Sequence, residues 1–149
     1  MEEQIAAFIS YLHNVKKTSN NTEMSYRRDL LKMSSYLEGV GVHEAEKVTS
    51  EILLAYEQHM KDESAAPASV SRSVASMKAF FNYLEKEGTI DSSPAEALRS
   101  PKIEKKMPQI LTPEEVVKLL EQPDGDSPKD IRDRAMLELL YATGMRVTE

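Results

Sequence analysis

ASVSRSVASMKAFFNYLEKEG, residues 68–88, is the stretch of sequence that decides the fold. Its apolar residues recur at three- and four-residue steps, which is the period of an amphipathic α-helix. The spacing predicts a long helix from about Ala68 to Glu87, and Gly88 is a suitable residue for its C-terminal cap. The predicted core stripe of this helix consists of Val70, Val74, Met77, Phe81 and Leu84.

The opposite side of this helix is short-polar and basic. It has no acidic residue before Glu85, although the whole chain of 149 residues has a net charge of −6. Because charged residues on amphipathic helices usually face water, a plain solvated surface is one interpretation of this side. However, the basic residues are placed unevenly along an acidic chain, and a solvated surface does not explain this distribution. The residues on this side are Ser69, Ser71, Arg72, Ser76, Lys78 and Asn82.

Three further amphipathic helices are predicted before the long one, over about residues 2–15, 22–38 and 49–61. Turn-forming and capping residues separate them, and Thr22 is a suitable N-cap for the second. Since Gly is scarce and Ala, Leu, Glu, Lys and Met are common, the composition also favours helices. Arg28 and Lys32 lie one turn apart on the second helix, outside its apolar stripe.

Composition excludes several classes of protein. The chain has no cysteine, so it has neither a disulfide framework nor a thiolate metal site. Its three histidines show no metal-ligand spacing, so we expect them to be ordinary side chains. The acidic N-terminus is not a secretory signal, and no apolar run is long enough to span a membrane. We therefore expect a cytoplasmic protein with no membrane partner.

A change of character follows residue 98. Residues 1–98 carry 10 Lys and Arg against 15 Asp and Glu, whereas the next stretch is proline-containing and net positive. Thr112-Pro113-Glu114-Glu115 then marks a helix start, with a capping threonine and a glutamate three residues later. A last helix is predicted over about residues 129–143, capped by Gly144. The predicted organisation is a helical domain over 1–98, a linker over 99–110 and the start of a second domain over 111–149.

Several segments carry a family likeness. Residues 22–30 match the pattern T-x-x-x-Y-x-x-D-L, and residues 132–149 match the more specific box R-D-x-A-x-x-x-x-x-Y-x-T-G-x-R-x-[ST]-E. Residues 69–84 and 111–115 match a fourth helix and the opening of a catalytic domain. In these segments the chain resembles the tyrosine recombinases, and in particular the bacterial Xer-type enzymes and related phage-type integrases.

The resemblance implies an all-α fold. It implies a SAM-like core-binding domain of four to five helices, a linker and the first helices of a tyrosine-recombinase catalytic domain. In this family the two domains clamp double-stranded DNA, and a tyrosine forms a 3′-phosphotyrosyl link without a metal or nucleotide cofactor. The family also implies other recombinase subunits as partners, with a tetramer on DNA.

The resemblance places DNA contacts on the second and fourth helices and on the linker. Small serines would let a helix approach closely, while Arg and Lys meet phosphates or guanine edges. For the linker, lysines that serve only solubility are the alternative, and a strand along the DNA backbone would add counterion-release affinity. The predicted DNA-binding residues are Arg27, Arg28, Lys32, Ser69, Arg72, Ser76, Lys78, Lys102, Lys105 and Lys106.

Arg146 stands where the family has the first of its two catalytic arginines. A planar, always-charged guanidinium can hold the non-bridging oxygens of the transition state. Without the family likeness, the expected role of such an arginine is binding to carbonyls at the helix end near Gly144. The family's remaining catalytic residues follow this box, and Tyr141 is not the nucleophile. We therefore expect the front part of a larger enzyme that does not cleave DNA by itself.

The alternative function is a non-catalytic helical protein-interaction module. In that case the apolar side of the last helix, around Met136, Leu139 and Leu140, would be a protein interface. Either interpretation predicts that this side promotes self-association or packs on the N-terminal helices. The sequence leaves open whether the DNA reaction would be chromosome-dimer resolution or integration of a mobile element.

Overall fold

The computed structural model describes residues 1–102, 107 and 110–149, and all regular structure in them is helical. The all-α prediction is confirmed. A short 3₁₀ helix, Ala45–Lys47, was not predicted from the sequence. The helices are α1 (Glu2–Asn14), α2 (Asn20–Gly39), α3 (Ser50–Asp62), α4 (Pro67–Lys86), α5 (Pro113–Leu120) and α6 (Pro128–Thr143).

The chain forms two compact units, Met1–Glu104 and Lys105–Glu149. The predicted boundaries at residues 98 and 110 stay a proposal, because part of the predicted linker lies outside the described residues.

Helix α4 is the centre of the first unit and contacts α1, α2 and α3. Its predicted stripe is buried, and Phe80 is fully buried beside it. The Phe8 ring of α1 meets Phe80 edge-on, with 5.6 Å between ring centroids. Edge-to-face pairs of this kind add to the free energy gained by burying the rings. The core of the first unit therefore includes an aromatic contact between α1 and α4 beside the predicted stripe.

Helix α2 begins earlier than predicted. Ser19, not Thr22, is its N-cap: Ser19 has an extended backbone, and its side chain accepts a hydrogen bond from the Thr22 backbone N–H. Thr22 instead lies in the first turn, where its hydroxyl contacts Ser19 Oγ at 2.9 Å. The start of α3 agrees with prediction, because Thr49 caps it by accepting from the Ile52 N–H.

The second unit consists of α5 and α6, which contact each other. The predicted capping box is present: Thr112 and Glu115 each accept a hydrogen bond from the other's backbone N–H. Gly144 ends α6 in the left-handed conformation, with φ of 65°. No residue of either helix is buried, so both helices leave their apolar side chains accessible.

Across the described residues, no helix has the length and hydropathy that crossing a membrane requires.

Candidate nucleic-acid interface

Helices α2, α3 and α4 line a groove of about 640 Å³, which we call the α2–α4 groove. Two cations of α2, Arg28 and Lys32, and one of α4, Arg72, line it. Ser69, in the first turn of α4, lines it as well. Four of the residues predicted to bind DNA therefore meet at one place, although they come from segments about 40 residues apart in the chain.

A two-point ion pair crosses this groove. The Arg72 guanidinium donates to Asp29 through Nε, at 2.8 Å from Oδ2, and through Nη2, at 3.1 Å from Oδ1. The Asp29 side chain is 7% exposed, while the Arg72 side chain is 38% exposed. Hydrogen bonding to Asp29 raises the pKa of Arg72, so this guanidinium stays charged at any physiological pH. Asp29 was not among the predicted site residues.

Aromatic side chains line the groove beside this ion pair. The ring of Tyr36 lies 5.0 Å from the rings of both Tyr56 and His59. Burial raises the pKa of Tyr56 to about 12, and the charges of Asp29 and Glu63 add to this rise. The nearby Ser73 hydroxyl opposes this rise, although it makes no hydrogen bond to any other residue that the structure describes. The Tyr56 hydroxyl is therefore neutral, and it adds no negative charge to the groove.

Arg27 lies outside the α2–α4 groove. It lines a shallower groove of about 700 Å³ on the outer side of α2, together with Met24 and Leu31. Arg28 and Lys32 border both grooves. The cations of α2 therefore form one continuous surface, of which Arg27 is the part farther from α4.

The prediction for Ser76 is wrong. Its side chain is fully buried, and its hydroxyl donates to the Ser73 carbonyl at 2.8 Å. The reason is the width of the buried sector of α4: Ser73 and Phe80, each one turn from Ser76, are also in the core. Ser76 is therefore a core residue and cannot contact DNA in this fold.

Arg72 and Lys78 do not share one face of α4. Six residues apart on a helix, they point about 120° from each other. Lys78 is half-buried and does not line the α2–α4 groove. Lys102 is exposed, whereas Lys105 and Lys106 lie outside the described residues.

Arg146 is exposed at the end of the second unit. Its Nη1 lies 2.9 Å from Oε1 of Glu149, and its backbone N–H donates to Oε2 of the same residue. These hydrogen bonds lower the pKa of Glu149. The carbonyl of Leu140 at the end of α6 accepts from the Gly144 N–H. The guanidinium therefore pairs with the glutamate that closes its own sequence box, rather than with helix carbonyls.

Comparison with protein families decides the relationship. Residues 5–88 match the phage integrase N-terminal SAM-like domain, and residues 109–149 match the phage integrase family. The chain belongs to the phage integrase family. Its α2–α4 groove lies in the SAM-like domain, and Arg146 lies in the second match.

Curated relatives of this chain include the tyrosine recombinases XerC and XerD. It is 40% identical to tyrosine recombinase XerC of Roseiflexus castenholzii over its whole length, which covers 48% of that protein. It is 39% identical to tyrosine recombinase XerD of Halalkalibacterium halodurans, again over its whole length and 50% of that protein. The predicted family is confirmed, and the chain spans about half the length of the curated relatives it matches.

Proposed function

We propose that this chain binds double-stranded DNA through the α2–α4 groove, as part of a site-specific tyrosine recombinase. One observation supports the proposal above the others. Arg28, Lys32 and Arg72 come from two helices of an acidic chain and converge in one groove, where they outnumber the carboxylates of Asp29 and Glu63. Phosphate contacts supply most of the affinity of proteins for DNA, and they need such a local concentration of cations, whatever the net charge.

The other predicted cations have peripheral roles in this proposal. Arg27 extends the basic surface along α2. Lys78 and Lys102 contribute phosphate contacts outside the groove, and such contacts position the protein without reading base sequence. Lys105 and Lys106 are proposed to add phosphate contacts as well.

For the second unit, we propose that Arg146 binds the phosphate at which the strand is exchanged. Its full positive charge suits the developing charge on the phosphate oxygens. Glu149 now neutralises part of that charge, so DNA must compete with Glu149 for the guanidinium. We propose that these 149 residues bind DNA without cleaving it.

The proposed reaction also implies protein partners and a cellular location. The names of the relatives point to recombination between DNA sites, which requires further recombinase subunits, and we propose a tetramer on DNA. We propose that the protein acts on this substrate in the cytoplasm. Chromosome-dimer resolution and integration of a mobile element remain alternative settings for the same chemistry.

Fluorescence anisotropy tests the proposal. The whole chain is titrated into labelled duplexes of about 30 bp, three helical turns, over a series of salt concentrations. Arg28→Ala plus Lys32→Ala should weaken binding and reduce the slope of log K against log salt by about 2. Lys16→Ala plus Lys47→Ala removes the same charge from exposed positions outside the groove.

The control pair should change the slope much less. Equal effects of the two double variants would show that overall charge, not the α2–α4 groove, determines binding. No binding by the unsubstituted chain at low salt would refute the proposed function.

A further inference from the structure

The ion pair between α2 and α4 uses only one side of the Arg72 guanidinium. Asp29 accepts from Nε and Nη2, which form the side-on pair of donors. The end-on pair, from Nη1 and the second hydrogen of Nη2, makes no hydrogen bond within the part of the chain that the structure describes. These donors belong to a side chain that is 38% exposed and lies in the α2–α4 groove.

Stability alone does not explain a carboxylate at position 29. Burying it removes most of its hydration, and the attraction to its partner repays this cost only in part. A pair of apolar residues would join α2 to α4 as well or better. What the ion pair supplies, and an apolar pair does not, is a guanidinium fixed in one orientation beside Arg28 and Lys32.

We propose that Asp29 is a positioning residue for DNA recognition. It holds Arg72 by the side-on donors so that the end-on donors face the duplex and bind a phosphate or a guanine edge. This inference rests on the proposed DNA binding and deepens it. Fixing a long side chain before binding reduces the entropy lost on association, and a fork of two donors fits a guanine edge or two phosphate oxygens.

Positioning and simple electrostatics predict opposite effects of Asp29→Asn on the affinity for DNA. Asp29→Asn removes a negative charge from the groove, so charge alone predicts tighter DNA binding. Positioning predicts weaker binding, by about three- to tenfold, because the amide nitrogen cannot accept and the guanidinium loses its fixed orientation. The measurement is duplex affinity of the whole chain by anisotropy, at matched salt.

Glu23→Gln is the matched control. Glu23 is also a buried carboxylate of α2, 7% exposed, but it binds His13 and Thr18 on the α1 side. The substitution removes the same charge and disturbs the same helix without touching Arg72. Thermal unfolding of both variants identifies a temperature at which both are folded, and their affinities for DNA are compared at that temperature.

A second background separates positioning from direct contact. In Arg72→Lys, which keeps the charge but loses the fork, adding Asp29→Asn should no longer weaken binding and should tighten it slightly. In the unsubstituted chain, the Nε–H resonance of Arg72 in ¹⁵N NMR should exchange slowly with water, and it should exchange faster in Asp29→Asn.

Each outcome decides the question. Weaker binding by Asp29→Asn but not by Glu23→Gln, abolished in the Arg72→Lys background, supports positioning. Unchanged or tighter binding by Asp29→Asn, while Arg28→Ala weakens it, overturns the positioning role and leaves DNA binding intact. Equal weakening by the two carboxylate variants shows a structural effect and also overturns it. Absence of duplex binding by the unsubstituted chain overturns both proposals.

Discussion

His13 Nδ1, in the last turn of α1, lies 3.2 Å from Oε2 of Glu23 in the first turn of α2. The Thr18 hydroxyl donates to the other oxygen of the same carboxylate at 3.0 Å. Glu23 is thus a buried acceptor that joins α1, the connecting loop and α2. Its two partners differ in exposure: the His13 side chain is 70% exposed, whereas Thr18 is half-buried.

We expect Glu23 to matter more for stability than His13. Glu23→Ala removes the buried acceptor shared by His13 and Thr18 and leaves the half-buried Thr18 hydroxyl only the Leu12 carbonyl, 3.3 Å away. It should lower the free energy of unfolding by about 1–2 kcal/mol. His13→Ala removes an exposed partner, and the effect should stay below about 1 kcal/mol. Urea unfolding followed by circular dichroism measures both. A larger loss for His13→Ala than for Glu23→Ala would contradict this view of the cluster.

Two buried serines should respond differently to alanine substitution. Ser93 Oγ is buried without a hydrogen-bond partner in the described part of the chain, so Ser93→Ala should be neutral or stabilising by up to about 1 kcal/mol. Ser76 Oγ is buried but donates to Ser73 O, so Ser76→Ala should destabilise by about 1 kcal/mol. Denaturant midpoints give the comparison.

The same Ser76 variant also tests whether this serine contacts DNA. Because its side chain is fully buried, Ser76→Ala should leave duplex affinity unchanged under conditions where the protein is folded. A loss of affinity without a loss of stability would mean that α4 presents Ser76 to DNA after all.

Tyr56 makes the first unit sensitive to alkaline pH. Its pKa is about 12 in the folded chain, above the ordinary value of 10.0. The folded state therefore holds the phenolic proton more tightly than the unfolded state. The resulting stability is complete below about pH 10 and is lost as the pH rises towards about 12.

The size of this loss should be about 3 kcal/mol. Tyr56→Phe keeps the ring in the core but has no proton to lose. Urea unfolding at several alkaline pH values should therefore show a shallower decline for Tyr56→Phe than for the unsubstituted chain. Parallel declines would mean that other groups, such as Tyr83, whose pKa burial also raises, account for the pH dependence.

The sequence predicted the helices because their signals are local. The apolar period of α4, the Thr112 capping box and the Gly144 stop each involve residues within a few positions of one another. It did not predict the Asp29–Arg72 pair, because the partners are 43 residues apart and only the packing of α2 on α4 brings them together. Ser76 was misplaced for a related reason, since a serine in the core looks like a surface residue in a polarity pattern.

The apolar side of α6 should cause self-association. Ile131, Met136 and Leu139 are 58%, 53% and 55% exposed, and apolar side chains left in water at this density favour burial against another surface. Met136→Glu plus Leu139→Glu should shift the chain towards monomer in sedimentation velocity at high concentration. Val15→Glu plus Val40→Glu, at exposed apolar positions of the first unit, is the control and should leave the distribution unchanged. A monomeric unsubstituted chain at all concentrations would show that this side of α6 does not drive association by itself.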